Sequence, residues 1–276
     1  MKYFGCLWII LLFGCSSNNK SIKVKGSDTE VNLAVQLAEN FYKVNANFSI
    51  AISGGGSGLG IASLLNGQAD VANSSRPLNE EEINLFKARK IELRTIVFAE
   101  DATAFIVQKD FPLDSIDVKG LSNILSGRYK TWKTITGQDV PVNIYGRQSN
   151  SGTHSFVRKK LAIEFSRDAK EMSGNAQIME GVKMDVSGIG YVGAGYILQD
   201  GSDQPVKVLK ITKKMGLPAV SPLDKDAINA GLYYFQRPLY QFIPTTSWKK
   251  VEAFIAFEKG ALGRKIIQDS GYYIIN

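Results

Sequence analysis

The chain has 276 residues, with 33 Lys and Arg against 26 Asp and Glu, a formal charge of +7, one His and two Cys. With 44% hydrophobic and 21% charged residues it has a globular composition, which excludes wholesale disorder and coiled coil; the length allows about two domains. One His and two Cys cannot build a Cys/His zinc site, and any Ser-His-Asp or Cys-His scheme would depend on His154 alone. The positive balance favours anionic partners, but the basic residues are dispersed rather than clustered, so no nucleic acid is expected.

Lys2 and the apolar run Leu7-Trp8-Ile9-Ile10-Leu11-Leu12-Phe13 read as a secretory signal, too short to span a bilayer. The run ends in Leu12-Phe13-Gly14-Cys15, which resembles a bacterial lipoprotein signal. That resemblance implies removal of residues 1–14 and a lipid on Cys15; the alternative is an ordinary signal peptide cut nearby. Residues 15–21 then form the lipidated Cys and a flexible polar tether. Cys6 would leave with the signal, so the mature chain would carry a charge of +6 and no disulfide. No later segment has 18 consecutive apolar residues.

From Ser21 onward short strand-like runs alternate with helical patterns, the signature of an α/β fold with mainly parallel sheets. Residues 22–24 read as a strand, followed by a helical face at Val31, Val35, Ala38 and Phe41. A second strand at 48–52 leads through a glycine cluster into a helix at 61–65, stopped by Gly67. A very short strand at 70–72 precedes a helix opened by an Asn79/Glu82 capping box. Runs at 95–98 and 104–107 suggest a crossing into a second lobe, which has a strand at 142–145 before a helix at 155–165. The tail carries helices at 247–259 and 263–269. There is no internal repeat.

Three helix starts share one chemistry: Gly26-Ser27-Asp28-Thr29, Gly54-Gly55-Gly56-Ser57-Gly58 and Arg147-Gln148-Ser149-Asn150-Ser151-Gly152-Thr153. Unpaired backbone N–H groups and the positive end of the macrodipole favour anions at such places. Glycine lets the backbone approach a ligand, hydroxyls rotate to suit an oxyanion, and Arg147 adds a forked cationic donor. Each start also reads as a plain helix cap; Ser27 with Glu30 is formally a capping box.

Other patterns point nowhere. Gly188-Ile189-Gly190-Tyr191-Val192-Gly193 matches a dinucleotide fingerprint by letters but lacks a strand before it and a good helix start after it. No Gly-Lys-Ser/Thr occurs, and Leu59 stands where a nucleophile elbow after Ser57 would need glycine. His154 reads as a packing residue beside the third helix start.

Taken in order, Gly26-Ser27-Asp28-Thr29, the 54–60 cluster, Ala69-Asp70-Val71-Ala72-Asn73-Ser74-Ser75-Arg76 and Ser151-Gly152-Thr153 resemble the PstS family of periplasmic phosphate-binding proteins of ABC-type importers. Gly127 with Trp132, the glycine run at 188–193 and Arg237-Pro238-Leu239-Tyr240 look like further pieces of that family. The resemblance implies a two-lobed α/β binding-protein fold of type II with two chain crossings: 22–99 plus 217–276 as lobe 1, 100–216 as lobe 2, and the ligand in the cleft. It implies high-affinity binding of inorganic phosphate outside the cytoplasm and delivery to membrane permease subunits, by a monomer with no covalent chemistry and no cofactor or metal. Position by position it implies Ser27, Asp28 and Thr29 as the first binding loop, and Ser57 with Gly58 as the second. Arg147, Ser151, Gly152 and Thr153 would form the third, from the opposite lobe.

One departure stands out. Better-known members have an Asp where Ser75 stands, and that carboxylate accepts the proton of hydrogen phosphate. Asp28 is the expected substitute acceptor here; the rival reading makes it a helix cap and leaves Ser75 or Arg76 to contact phosphate. Beside phosphate stand another tetrahedral oxyanion such as sulfate, a phosphoester hydrolase using the same cradle, and a surface lipoprotein for a protein partner.

Overall fold

The computed structural model describes residues 20–198, 206–214 and 216–275, so the signal, Cys15 and most of the tether lie outside the described residues. The first lobe opens with β1 (Lys20–Gly26), α1 (Val31–Val44), β2 (Phe48–Ser53), α2 (Ser57–Leu65), β3 (Val71–Ser74) and α3 (Glu80–Ala88). In α1 the residues at 33, 34, 37, 38 and 41 are buried, the spacing of one helical face; β2 alternates half-buried and exposed positions, the period of a strand. The capping box of α3 forms as expected, Glu82 N donating to Asn79 Oδ1 at 2.7 Å and Asn79 N to Glu82 Oε2 at 2.9 Å.

β4 (Leu93–Gln108) is one strand where two separate runs were expected, and it joins the lobes. The second lobe continues with β5 (Ser115–Asp117), α4 (Val118–Leu125), α5 (Lys133–Thr136), β6 (Asn143–Arg147) and α6 (Gly152–Leu161). β7 (Lys170–Met172), α7 (Asn175–Lys183), β8 (Gly188–Gly193) and α8 (Ala194–Leu198) follow. Then come β9 (Val206–Val208), β10 (Lys210–Thr212) and α9 (Lys225–Asn229). The chain returns through β11 (Gln236–Pro244) and ends in α10 (Trp248–Lys259) and α11 (Ala261–Asp269). The 188–193 glycine run is therefore a wholly buried strand.

The strand order β2-β1-β3-β11-β4-β8-β6-β7 runs through both lobes. The first half of β4 pairs antiparallel with β11, out to Ala102 opposite Gln236; from Thr103 the same strand pairs with β8. Around this shared strand lie separate cores. Leu33, Phe41, Phe254 and Ile267 lie on one side of the first sheet, Leu64, Phe86 and Phe242 in another cluster of that lobe, and Phe105, Trp132 and Tyr191 in the second lobe. The return differs from the expected boundary at 217: Ile228, Tyr233 and Phe235 pack into the second lobe's core, and pairing with the first sheet resumes only at Gln236.

Candidate functional site

The three helix starts meet where the lobes face each other. Ser57, the first residue of α2, accepts a bond from Ser75 N at 3.1 Å, and its Oγ is 3.4 Å from Ser75 Oγ. Gly152 opens α6 from the other lobe, and a Cβ built on it would overlap Ser57 Oγ and come within 2.5 Å of Ser75 Oγ. Only glycine lets the two lobes approach there. Gly58 N donates to Asn150 O at 3.0 Å, and Asn150 Nδ2 donates back to Gly55 O at 3.1 Å. Thr29 and Thr153, one from each lobe, stand with hydroxyl oxygens 3.0 Å apart. Ser151 caps α6 through its Oγ, which accepts from His154 N at 3.4 Å.

Arg147 ends β6 and is buried. Its backbone N–H donates to the Tyr191 hydroxyl at 3.0 Å, Nη2 to Ser173 O at 3.0 Å and Nη1 to Asn175 Oδ1 at 3.3 Å; Nη1 is 3.4 Å from Asp28 Oδ2. Burial lowers its affinity for a proton and Asp28 opposes that shift, while burial raises the Tyr191 phenol, which stays protonated. Within the second lobe Arg147 also lines a pocket of about 240 Å³ with His154, Phe165, Glu171 and Tyr191. His154 packs its ring on Phe165 at 4.6 Å, and burial lowers its pKa.

The Asp28 carboxylate faces the opposite lobe. The short 3-10 turn Asp28–Glu30 has Ser27 before it and no side-chain cap bond, and Ser27 is buried beside the Glu30 carboxyl. Asp28 Oδ2 instead accepts from Asn175 N, across the cleft, at 2.9 Å. Arg76, named with the binding residues, is not brought to the cluster. Its guanidinium forks onto both oxygens of Glu82 at 2.7 Å and onto Pro77 O, so the acid of the α3 capping box holds it.

Sequence reasoning missed Arg237 and Asp101. They face each other on β11 and β4, and Arg237 Nη2 reaches Asp101 Oδ2 at 2.8 Å, Thr153 Oγ1 at 3.1 Å and Thr29 Oγ1 at 3.3 Å. Burial raises the Asp101 carboxyl above its usual range, and Arg237 pulls it back down. The available signals were the Arg237-Pro238-Leu239-Tyr240 motif and the acidic pair Glu100-Asp101 within a strand whose flanks are apolar.

Comparison with known proteins covers this whole arrangement. Phosphate-binding protein PstS of Borreliella burgdorferi is 26% identical over 275 residues, spanning 95% of this chain and 93% of that one. Phosphate-binding protein PstS of Pseudomonas aeruginosa is 29% identical over 278 residues, spanning 94% and 83%. A crystal structure of a chain assigned to phosphate ABC transport as a substrate-binding protein, from Clostridium perfringens with bound phosphate, superposes with a TM-score of 0.82 at 22% identity, covering 93% of this chain and 100% of that one. A family model described as a PBP superfamily domain matches residues 15–258, a span that takes in every cleft residue named above, the second lobe, and the first lobe short of its last helix and tail. A cleft assembled from both lobes around one shared strand, together with that match, places the chain in the PBP superfamily.

Proposed function

We propose that this protein binds inorganic phosphate between its lobes and delivers it to an ABC-type importer. The observation that carries the reading is the convergence of Thr29, Ser57 and Ser75 from one lobe with Arg147, Gly152 and Thr153 from the other. A buried guanidinium, several hydroxyls and two helix N-termini make a donor-rich cradle for a small tetrahedral anion, and relatives named for phosphate binding support that ligand. Ser27 and Ser151 back the two loops.

The hydroxyls serve binding rather than chemistry. Ser57 accepts from a backbone N–H, and the two threonines bond each other and Arg237; none contacts a base that could activate it. Asp28, beside Arg147, acts as the acceptor of the hydrogen phosphate proton. Its lone pairs would repel the lone pairs of sulfate, which has no proton to offer.

Around this site the reading has residues 22–99 with 236–275 as the first lobe and 100–235 as the second. Cys15 carries the lipid that tethers a monomeric receptor outside a bacterial membrane, residues 1–14 having been removed. Among the described residues no helix is long and apolar enough to cross a membrane.

Thermal unfolding tests the ligand. Phosphate at a thousand times its Kd should stabilise the fold by about 4 kcal/mol, visible as a raised Tm, while sulfate at the same concentration should leave Tm in place. Equal shifts with both anions, or none, would contradict the assignment.

A further inference from the structure

The passage of the chain between the lobes carries a buried ion pair. Arg237 and Asp101 are paired across β11 and β4, with side chains 1% and 0% exposed. Arg237 Nε at 3.1 Å and Nη2 at 2.8 Å both bond the same Asp101 oxygen, and the guanidinium carbon lies 5.3 Å from the Phe156 ring centroid. A buried pair of this kind rarely stabilises a fold more than apolar residues of equal volume would, because both ions must be stripped of water. Its contacts point to another role: the same Nη2 also bonds Thr29 Oγ1 and Thr153 Oγ1, one hydroxyl from each lobe.

A hydroxyl has one hydrogen and two lone pairs, and a guanidinium can only donate. Nη2 carries two hydrogens, and with one on Asp101 Oδ2 the other is shared between the two threonine oxygens; Arg237 thus occupies an acceptor side of both and leaves their hydroxyl hydrogens to be given elsewhere. The two oxygens are 3.0 Å apart, so one hydrogen can lie between them. An anion with oxygens at that place would take both. We propose that Arg237, held by Asp101, is a positioning residue that orients the Thr29 and Thr153 hydroxyls as donors to the bound anion. This rests on the phosphate reading above and adds to it. Because Asp101 sits on the strand shared by both lobes, the same pair sets the orientation for the two hydroxyls only when the lobes are together.

A double-mutant cycle on the full-length protein tests this, with Kd measured by equilibrium dialysis against radiolabelled phosphate up to millimolar concentration. Arg237→Lys keeps the charge and loses the fork, and should raise Kd about tenfold, which corresponds to about 1.4 kcal/mol. In a Thr29→Val, Thr153→Val background the same change should move Kd by less than about twofold, since the groups it acts through are gone. An equal tenfold loss in both backgrounds would overturn the inference, as would an unchanged Kd for Arg237→Lys alone. Should Arg237→Lys fail to fold, Asp101→Asn takes its place in the cycle under the same criteria. Wild-type protein that binds phosphate but gives an additive cycle sinks this inference only; wild-type protein that binds no phosphate sinks the receptor reading with it.

Discussion

Asp28 and Asn175 are 147 residues apart in the chain, yet Asp28 Oδ2 accepts a 2.9 Å hydrogen bond from Asn175 N. Gly174 gives α7 no side-chain cap, so the carboxylate at the positive end of that helix comes from the opposite lobe. The same oxygen faces Arg147 at 3.4 Å. Asp28 is thus a bridge between the lobes as well as the proposed acceptor. Asp28→Asn should weaken phosphate binding about tenfold, because an amide oxygen is a weaker acceptor than a carboxylate for the phosphate proton, and it should strengthen sulfate binding because an amide can donate to it. Competitive calorimetry would show the phosphate-to-sulfate preference narrowing by more than tenfold; an unchanged preference would remove Asp28 from selectivity.

Gly152→Ala places a methyl group against the hydroxyls of Ser57 and Ser75. The overlap is relieved by turning the serine hydroxyls away, which breaks the bond from Ser75 N to Ser57 Oγ, and by separating the lobes. Phosphate Kd should rise by more than about a hundredfold, roughly 3 kcal/mol, and the compaction on phosphate addition seen by small-angle scattering should disappear. Retention of both would mean that α6 does not approach α2 in the bound state.

Arg147→Lys keeps one charge but cannot serve Ser173 O, Asn175 Oδ1 and a ligand together. Loss of a charge-assisted bond of about 1.5–3 kcal/mol should raise the phosphate Kd about tenfold to a hundredfold. The folded protein should keep its far-ultraviolet spectrum. A Kd within twofold of wild type would show that Arg147 is structural only.

Stability should fall with rising pH through two carboxyls buried in the first lobe. Burial pushes Glu258 from 4.5 up to about 8, with the Gln241 side-chain bond pulling back, and burial raises Glu30 well above 4.5. Between those values the folded chain holds protons that the unfolded chain has released. Their contribution is complete below pH 4.5, shrinks as pH rises, and for Glu258 is gone above about 8. Glu258→Gln keeps the shape and the Gln241 bond. It should flatten the decline of Tm between pH 6 and 8; an unaltered decline would assign the pH dependence elsewhere.

Much of this architecture is legible along the chain. Alternating and 3.6-period patterns mark β1, α1, β2 and the tail helices, because each buries a local face. The three helix starts that meet between the lobes are visible as glycine and hydroxyl clusters before helices, a local chemistry. What failed depends on distant partners. Residues 217–235 carry no long periodic pattern, and only the packing of Ile228, Tyr233 and Phe235 assigns them to the second lobe. Arg76 stands next to Ser75 in the chain, but Glu82, already expected in the capping box, is six residues away and pairs with its guanidinium. Arg237 acquires its role by reaching Asp101, 136 positions earlier, and no spacing rule foretells that.

The most direct measurement is calorimetric titration of the full-length protein with phosphate and then sulfate at neutral pH, after bound ligand has been removed by partial unfolding and dialysis. The account predicts tight binding of one phosphate per chain and no heat from sulfate. A refolded protein that gives no phosphate heat, or that binds sulfate equally well, would contradict it.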